Sequence, residues 1–303
     1  MTTFAVTAGA PTPRWLDWGM SSTAGDLAGR TFLVTGSNSG IGRITATTLA
    51  GRGGQVFLAC RAPEKGEAVA APLRAGGAKV EVLRLDLADL SSVRDAAATF
   101  LARGLPLHGL INNAGLAGTR SLTRDGFELT FGVNHLGHFL LTRLFEARLR
   151  ESAPARVVNV SSQAHRSAKG IDFSVLRQRT RSRTGIPEYG VSKLANILFT
   201  RELARRWSGS GVTAYALHPG VVATDIWRRL PGPLRWLLMR FMISPEEGAR
   251  TTMTCATAPE LAGVSGRYYN REREATPSLV AQDDALAVRL WDESEKMVGL
   301  AST

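Results

Sequence analysis

The sequence has almost no cysteine: Cys60 and Cys255 are the only two among its 303 residues. Two cysteines cannot build a disulfide framework, and their scarcity favours a reducing compartment, so we expect a cytoplasmic protein. No run reaches the ~18–20 apolar residues that a transmembrane helix needs. The first ten residues also lack the basic start and the apolar stretch of a secretory signal peptide. These absences argue against a secreted or membrane-spanning protein.

Lysine is scarce as well, although the chain is basic. The net charge is +11, yet only five of the 37 basic residues are lysines. The arginines are spread along the chain and no nucleic-acid-binding motif accompanies them, so we predict no nucleic-acid partner. A well-solvated basic surface explains the charge, with attraction of an anionic cofactor as an additional benefit.

The order of apolar segments indicates the fold class. Residues 1–26 predict an irregular leader, and residues 27–303 a single domain because no linker divides them. Strand-like runs alternate with helical patterns, which predicts an α/β fold: one doubly wound, Rossmann-type domain with a seven-stranded, mainly parallel sheet flanked by helices. Its ligand is expected beyond the carboxyl ends of the strands. The strands are predicted near 31–35, 55–60, 79–85, 108–112, 156–160, 212–217 and 264–268.

Tyr189 and Lys193 lie four residues apart in a helix-forming stretch, so a helix places a phenol and an ammonium on one face. A free phenol titrates near pH ~10 and an ammonium near ~10.4. A neighbouring cation stabilises the phenolate and lowers the pKa of the phenol, which lets a tyrosine exchange protons near neutral pH. Taken alone, the pair is better explained as one aromatic side chain and one solvated charge.

A glycine-rich motif follows the first predicted strand, with the sequence Thr35-Gly36-Ser37-Asn38-Ser39-Gly40-Ile41-Gly42. Its glycines permit a tight turn and a close approach of backbone N–H groups to a pyrophosphate, which then rests on the positive end of the next helix. A glycine motif alone is also typical of an ordinary turn. The tyrosine and lysine pair in the same chain favours dinucleotide binding.

With these motifs and several others in order, the chain resembles the short-chain dehydrogenase/reductase family from about Leu27 to the C-terminus. The further motifs are Asp86-Leu87, Asn112-Asn113-Ala114-Gly115, Asn134, Val157 to Ser162, and His218-Pro219-Gly220. The retinol-dehydrogenase-like branch is the most similar part of the family, judged from the segments 134–139, 192–196 and 265–269.

The resemblance implies an enzyme that interconverts a carbonyl and an alcohol by hydride transfer with a nicotinamide cofactor. Tyr189 is then the general acid or base, and Lys193 lowers its pKa and binds the nicotinamide ribose. Ser162, rather than Ser161, stabilises charge on the substrate oxygen, and Asn134 supports a water that links Lys193 to solvent. Two alternatives stay open: a non-redox cyclase, dehydratase or epimerase that uses the same residues, and a cofactor-sensing binding protein.

Arg61 indicates which cofactor is bound. It follows the second predicted strand, where an acidic residue would hold a ribose 2′-hydroxyl and an arginine accommodates a 2′-phosphate. We therefore predict NADP(H), with Arg61 binding the 2′-phosphate and Ser37 or Asn38 assisting from the turn, unless Arg61 is merely solvated. The resemblance also places Asp86 at the adenine, unless Asp86 caps the next helix, and Thr224 at the nicotinamide, unless it caps a helix starting at Asp225. The full predicted cofactor set is Gly36, Ser37, Asn38, Ser39, Gly40, Ile41, Gly42, Arg61, Asp86, Leu87, Asn112, Ala114, Gly115, Tyr189, Lys193, Pro219, Gly220, Val222 and Thr224.

Two segments are expected to shape the substrate site. Residues 166–185 are an arginine-containing insertion, which is either a loop that selects the substrate or a solvated basic loop. Residues 226–243 mix large apolar and basic groups, which predicts a lid and a lipophilic or bulky carbonyl or alcohol substrate. The alternative for this segment is a basic amphipathic helix in peripheral contact with a membrane.

His135 and His138 fall on one helical face, but no third ligand follows at a suitable spacing, so we predict no metal site. The resemblance leaves a homo-oligomer open, because family members often assemble through the helices that carry residues 124–150 and 188–208.

Overall fold

Eight strands form one sheet in the computed structural model, which describes residues 25–220 and 243–300. The sheet order is β3-β2-β1-β4-β5-β6-β7-β8, with parallel pairs from β3 to β7 and an antiparallel pair of β7 with β8. The order reverses between β1 and β4, which is where doubly wound sheets bind ligands. The strands are β1 (Thr31–Thr35), β2 (Gln55–Cys60), β3 (Val80–Arg84), β4 (Gly109–Asn112), β5 (Ala155–Val160), β6 (Val212–His218), β7 (Arg267–Asn270) and β8 (Arg273–Glu274).

Helices cover both faces of this sheet. Among the described residues they are α1 (Gly40–Gly51), α2 (Pro63–Ala75), α3 (Leu90–Leu101), α4 (Leu129–Phe131), α5 (Gly137–Leu144), α6 (Glu146–Glu151), α7 (Ile186–Arg206), α8 (Pro245–Thr257) and α9 (Asp284–Val298). A π-helical turn, Gly132–Leu136, joins α4 to α5. The predicted single doubly wound α/β domain is thus confirmed.

The sheet has one strand more than the seven predicted. The additional strand, β8, is two residues long and pairs with β7 through a tight turn in which Arg271 and Glu272 have φ of 50° and 63°. The sequence Arg271 to Glu274 is wholly charged, so it offers neither the apolar alternation of a strand nor the glycine typical of such a turn.

Two apolar cores lie on opposite faces of the sheet because successive strand residues point to opposite sides. Along β1, Leu33 belongs to the core under α3, α5 and α7, whereas Phe32 and Val34 belong to the core under α1, α2 and α8. All five β1 residues are buried, as expected for a parallel strand covered on both faces.

The last described helix, α9, covers the outer side of α5 and α7. Its Trp291 packs edge-on to Phe139 at 5.2 Å between ring centroids and lies 5.8 Å from Phe199. Ser294 of α9 hydrogen-bonds His135 at 3.0 Å, and Glu295 forms a buried ion pair with Arg143. α9 therefore packs against parts of the segments expected to carry a homo-oligomer interface, and the homo-oligomer stays a prediction.

No helix within residues 25–220 and 243–300 combines the length and apolar character needed to cross a bilayer.

Candidate active site

The glycine turn between β1 and α1 leaves no room for side chains where it approaches its neighbours. Gly36 and Gly40 have φ of 66° and 53°, in the left-handed region that glycine adopts without steric cost. A Cβ at Gly42 would lie 2.4 Å from both Asn113 Nδ2 and the Gly36 carbonyl oxygen. The Ser39 side chain does not cap α1. The backbone N–H groups at this helix start therefore fit a pyrophosphate, which would accept their hydrogen bonds.

Thr35 and Asn113 hold the ends of β1 and β4 together. The backbone N–H groups of Asn113 and Ala114 donate to Thr35 Oγ1 at 3.0 and 2.9 Å, and Asn113 Nδ2 donates to the Thr35 carbonyl at 2.8 Å. These bonds fix Ala114 and Gly115 beside the glycine turn. Asn113 was not among the predicted site residues, although it stands inside one of the motifs.

A cleft of about 290 Å³ opens next to this turn. Arg61 and Lys65 are exposed on its β2 side, and Asp86 is the one carboxylate among the described residues that line it. Lys65 was not predicted as a site residue, since only the packing of α2 brings it to the cleft. The predicted residues in the cleft wall are Gly36, Asn38, Arg61, Asp86, Leu87, Ala114 and Gly115.

Asp86 does not cap the following helix. Asp89 does so, by accepting hydrogen bonds from the backbone N–H groups of Ser91 and Ser92 at 2.9 and 3.3 Å. Asp86 instead accepts from the Ala88 N–H at 3.0 Å and lines the cleft. The alternative role of Asp86 as a cap was wrong.

Two predicted cofactor residues turn their side chains into the protein. Asn112 Nδ2 donates to Asn159 Oδ1 at 2.8 Å and to Thr142 Oγ1 at 3.0 Å, so the Asn112 side chain ties β4 to β5 and α5. The Ser37 hydroxyl is fully buried and has no hydrogen-bond partner among the described residues. Of Ser37 and Asn38, which were both expected to assist at a 2′-phosphate, only Asn38 lines the cleft.

Tyr189 and Lys193 lie together on the buried face of α7. Lys193 Nζ is 5.6 Å from the centroid of the Tyr189 ring and donates a hydrogen bond to the Val160 carbonyl at 2.8 Å. Burial raises the pKa of Tyr189, and hydrogen bonding with Ser162 opposes that rise only in part. Burial also lowers the pKa of Lys193 to about 7. The expected lowering of the Tyr189 pKa is therefore absent here, because the effect of burial outweighs that of the hydrogen bond.

The two serines after β5 have different surroundings. Ser161 is buried, and its hydroxyl donates to the Lys193 carbonyl at 2.7 Å, so it ties the strand to α7. Ser162 is only half-buried, and its hydroxyl interacts with Tyr189 and accepts from the Ala164 N–H at 3.2 Å. Of the two, Ser162 is the one placed beside the tyrosine.

Asn134 lies in the π-helical turn, a deformation that is common at functional sites. Its amide makes a pair of bonds with Leu116, accepting from the backbone N–H at 2.9 Å and donating to the carbonyl at 3.0 Å, and it also donates to Ser192 Oγ at 3.0 Å. A Cβ at Gly115 would lie 3.4 Å from Asn134 Oδ1 and 3.5 Å from Lys193 Nζ. The space beside the Gly115 Cα is therefore within contact distance of both the asparagine and the lysine.

The insertion before α7 is anchored to the protein body. The Arg177 guanidinium stacks on the Phe127 ring at 4.2 Å, and Glu188 accepts from the backbone N–H groups of Arg181 and Ser182 at 3.1 and 2.8 Å. Arg177, Arg179, Arg181 and Arg183 are all exposed, which agrees with a solvated basic loop for these side chains.

The opposite end of the predicted site is described only in part. Pro219 and Gly220 follow β6 and are half-buried. Val222, Thr224 and residues 226–242 of the predicted lid lie outside the described residues.

His135 and His138 have separate neighbours, Ser294 for the first and Thr35 with Asn134 for the second. Across the described ranges, no three His, Cys, Asp or Glu side chains are gathered as a metal would require.

Comparison with known proteins agrees with this geometry. A family model described as short chain dehydrogenase matches residues 30–232. The chain belongs to the short-chain dehydrogenase/reductase family. It is accordingly an enzyme of a family that uses NAD(P)(H), and the predicted family is confirmed.

Curated relatives also confirm the predicted branch. Retinol dehydrogenase 12 of Mus musculus is 47% identical over 289 residues, which cover 93% of this chain and 90% of that protein. Retinol dehydrogenase 11 of Homo sapiens is 46% identical over 292 residues, covering 95% and 91% respectively.

Solved structures share the fold. An uncharacterised protein from Mycobacterium paratuberculosis has a TM-score of 0.74 and 38% identity, with 92% of this chain and 97% of that chain covered. A protein from Beutenbergia cavernae, described as an NAD(P)-dependent gluconate 5-dehydrogenase with bound NADP, has a TM-score of 0.67 and 29% identity, with coverage of 82% and 97%.

Proposed function

We propose that this short-chain dehydrogenase/reductase is an NADP(H)-dependent oxidoreductase that interconverts a carbonyl and an alcohol on a lipophilic or bulky substrate. The observation that carries the proposal is the meeting of Tyr189, Ser162 and Lys193 at the carboxyl ends of strands that also carry the glycine turn. A proton donor, an oxygen-binding hydroxyl and a cation then lie beside a dinucleotide cleft.

The bound cofactor supplies hydride transfer at the carbonyl carbon. Tyr189 Oη donates a proton to the developing alkoxide during reduction and accepts it during oxidation. The Ser162 hydroxyl binds the same substrate oxygen and stabilises its charge. Lys193 replenishes the proton, and Asn134 supports a water that links Lys193 to solvent; the space beside Gly115 is near both side chains.

An anionic cofactor would offset the effect of burial, which lowers the pKa of Lys193 to about 7. Negative charge near a buried ammonium favours its charged form and raises its pKa. A fully charged Lys193 then stabilises the Tyr189 phenolate. In this proposal, Lys193 is only partly protonated and Tyr189 is un-ionised without cofactor, and the pair becomes active when cofactor binds.

The preference for NADP(H) is supported by two cations on one side of the cleft. Arg61 and Lys65 both line the β2 side, where a 2′-phosphate is bound in this fold class. Arg61 offers a planar fork of donors and Lys65 a compact charge, which together suit a phosphate dianion. The gluconate 5-dehydrogenase relative was solved with NADP.

A lipophilic substrate is supported by the relatives, which are retinol dehydrogenases. Retinal and retinol are therefore the first substrates to assay, followed by other bulky aldehydes and ketones. Peripheral membrane contact through residues 226–243 stays a prediction. So does a cytoplasmic location, which agrees with the two free, buried cysteines.

The test is turnover of retinal and a carbonyl panel with NADPH, followed by cofactor absorbance and by product mass. We expect both signals to change together, and Tyr189→Phe to lower kcat by about 10²- to 10⁴-fold. Tyr269→Phe, on the opposite face of the sheet, is the matched control and should retain activity.

Full activity in Tyr189→Phe would contradict the proposed role of the phenol. Product formed without net cofactor oxidation would indicate a non-redox enzyme. Tight NADPH binding without turnover of any carbonyl would indicate a cofactor-sensing protein.

A further inference from the structure

His138 lies between Asn134 and the end of β1 and contacts both. Its Nδ1 is 3.0 Å from the Asn134 carbonyl oxygen, and its Nε2 is 2.9 Å from Thr35 Oγ1. The side chain is 2% exposed, so these two contacts take place away from water. None of the proposed catalytic steps uses this histidine.

The contacts determine which nitrogen of His138 carries the proton. A carbonyl oxygen only accepts, so Nδ1 must be the donor to Asn134. The Thr35 hydroxyl already accepts two backbone N–H groups, from Asn113 and Ala114, and has no lone pair left for a third donor. Nε2 must therefore accept the Thr35 proton, in preference to the Ile111 carbonyl at 3.4 Å.

His138 is thus held as the neutral Nδ1–H tautomer. Burial, with a smaller effect of the Lys193 charge, lowers the pKa of His138 to about 4, which agrees with this assignment. A doubly protonated ring would place three donors on the Thr35 hydroxyl. The network is therefore built for an uncharged ring.

These bonds close a ring around the segment 113–116. Thr35 binds its beginning through the Asn113 and Ala114 N–H groups, and the Asn134 amide binds its end through both backbone groups of Leu116. His138 joins Asn134 to Thr35 and completes the circuit. Every donor named in the ring has an acceptor, so the ring connects Asn134 to both ends of the segment 113–116.

We propose that His138 is a positioning residue, which fixes Asn134 and the segment 113–116 relative to each other and thereby sets the rate of the catalytic step. The inference rests on the proposed function, in which Lys193 resupplies Tyr189 with protons and Asn134 supports the water that links Lys193 to solvent. His138 itself touches neither substrate nor the reacting atoms. Its effect is expected in kcat, because Arg61 and Lys65 bind the far end of the cofactor.

The test compares two identical substitutions in the same helical segment. His138→Phe removes both ring contacts at similar volume, whereas His135→Phe removes the contact with Ser294 and leaves the ring intact. We expect His138→Phe to lower kcat by about 10- to 100-fold, the effect typical of a small misplacement of reacting groups, with a smaller rise in KM for NADPH because Ala114 and Gly115 line the cleft. His135→Phe should lose thermal stability but keep its kcat.

Thr35 supplies a second route to the same network if His138→Phe does not fold. Thr35→Val removes the hydroxyl and should lower kcat like His138→Phe, whereas Thr35→Ser keeps the hydroxyl and should restore the rate. Because both substitutions open one ring, the double variant should be no slower than the slower single variant. A wild-type kcat in His138→Phe or in Thr35→Val, or losses that multiply in the double variant, would overturn the proposal.

Amide hydrogen exchange keeps this test separate from the proposed function. In His138→Phe we expect faster exchange at the Ala114 and Leu116 amides, with unchanged exchange in α9, whether or not the wild type reduces a carbonyl. Unchanged exchange across 113–116 would overturn the inference even in an active enzyme. If the wild type turns over no carbonyl but His138→Phe still shows the faster exchange, the proposed function is refuted and the ring is supported.

Discussion

The ammonium of Lys193 donates a hydrogen bond to the carbonyl of Val160, the last residue of β5. Asn196 Nδ2 donates to the same oxygen at 3.1 Å. Strand β5, which ends two residues before Ser162, therefore also orients Lys193, one helical turn after Tyr189. Burying the lysine here has an energetic cost, because Lys193 is only 3% exposed and has no carboxylate partner among the described residues.

Replacing Lys193 by methionine should stabilise the cofactor-free protein while abolishing activity. The lysine pKa falls from 10.5 to about 7 on burial, and each pKa unit corresponds to about 1.4 kcal/mol. The unfolded chain binds the extra proton between these two pKa values, so wild-type stability should rise from pH 7 towards 10 and the advantage of Lys193→Met should shrink over that window. Val160 keeps its bond from Asn196, so no carbonyl is orphaned.

Thermal unfolding at several pH values measures this effect, with Lys296→Met as the exposed control that should show neither gain nor trend. A Lys193→Met variant no more stable than the wild type at pH 7 would contradict the expectation.

The pKa of Tyr189 should depend on cofactor. Without it, burial keeps this pKa above the ordinary value near ~10. With saturating NADP(H), we expect Lys193 to become charged and the Tyr189 pKa to fall. Carbon-13 labelling of the tyrosine rings, with Tyr189→Phe to assign the signal, follows the ionisation directly by NMR. A signal already titrating near neutral pH in the cofactor-free protein would be inconsistent with this coupling.

Arg61 and Lys65 should act together in selecting NADPH. A hydrogen bond to a charged group contributes about 1.5–3 kcal/mol, so Arg61→Ala should raise KM for NADPH by about 10- to 100-fold and leave KM for NADH nearly unchanged. Lys65→Ala should act in the same direction with a smaller effect, because a lysine offers a point charge rather than a fork.

Steady-state kinetics with both cofactors give the ratio of efficiencies, and Lys296→Ala controls for the loss of a surface charge far from the cleft. An unchanged NADPH to NADH ratio in Arg61→Ala would show that this arginine is only solvated.

Two glycines near the turn should respond differently to alanine. A Cβ at Gly42 would lie 2.4 Å from two heavy atoms, so Gly42→Ala should lower the free energy of unfolding by about 1–3 kcal/mol and weaken NADPH binding. A Cβ at Gly115 meets nothing closer than 3.4 Å, so Gly115→Ala should fold normally but lower kcat by placing a methyl group in the space beside Asn134 and Lys193. Chemical denaturation and kinetics separate these outcomes, and equal stability losses in both variants would count against the distinction.

Much of the fold was predictable because buried parallel strands are continuous apolar runs. The first six strands lie within one residue of their predicted ends. The seventh begins three residues later than predicted, and the charged β8 gave no signal at all. The π-helical turn around Asn134 has no sequence period that distinguishes it from an α-helix, so it could be found only in the structure.

The candidate site was predictable as a set of motifs but not as a set of side-chain directions. A motif does not tell which face of the sheet each member points to, so Asn112 and Ser37 were assigned to the cofactor although their side chains are interior. Whether Lys65 reaches the cleft depends on how α2 packs, which the sequence does not show. The raised pKa of Tyr189 depends on burial, which a helical spacing cannot measure.

The packing of α9 across α5 and α7 has a consequence for biosynthesis. Phe139 and Phe199 contact Trp291, which is made about ninety residues after the later of the two phenylalanines. While the final segment is still inside the ribosome, the emerging chain displays an uncovered aromatic surface to the cell. Premature termination before residue 284 would leave that surface permanently open, and such fragments should be clients of chaperones and proteases.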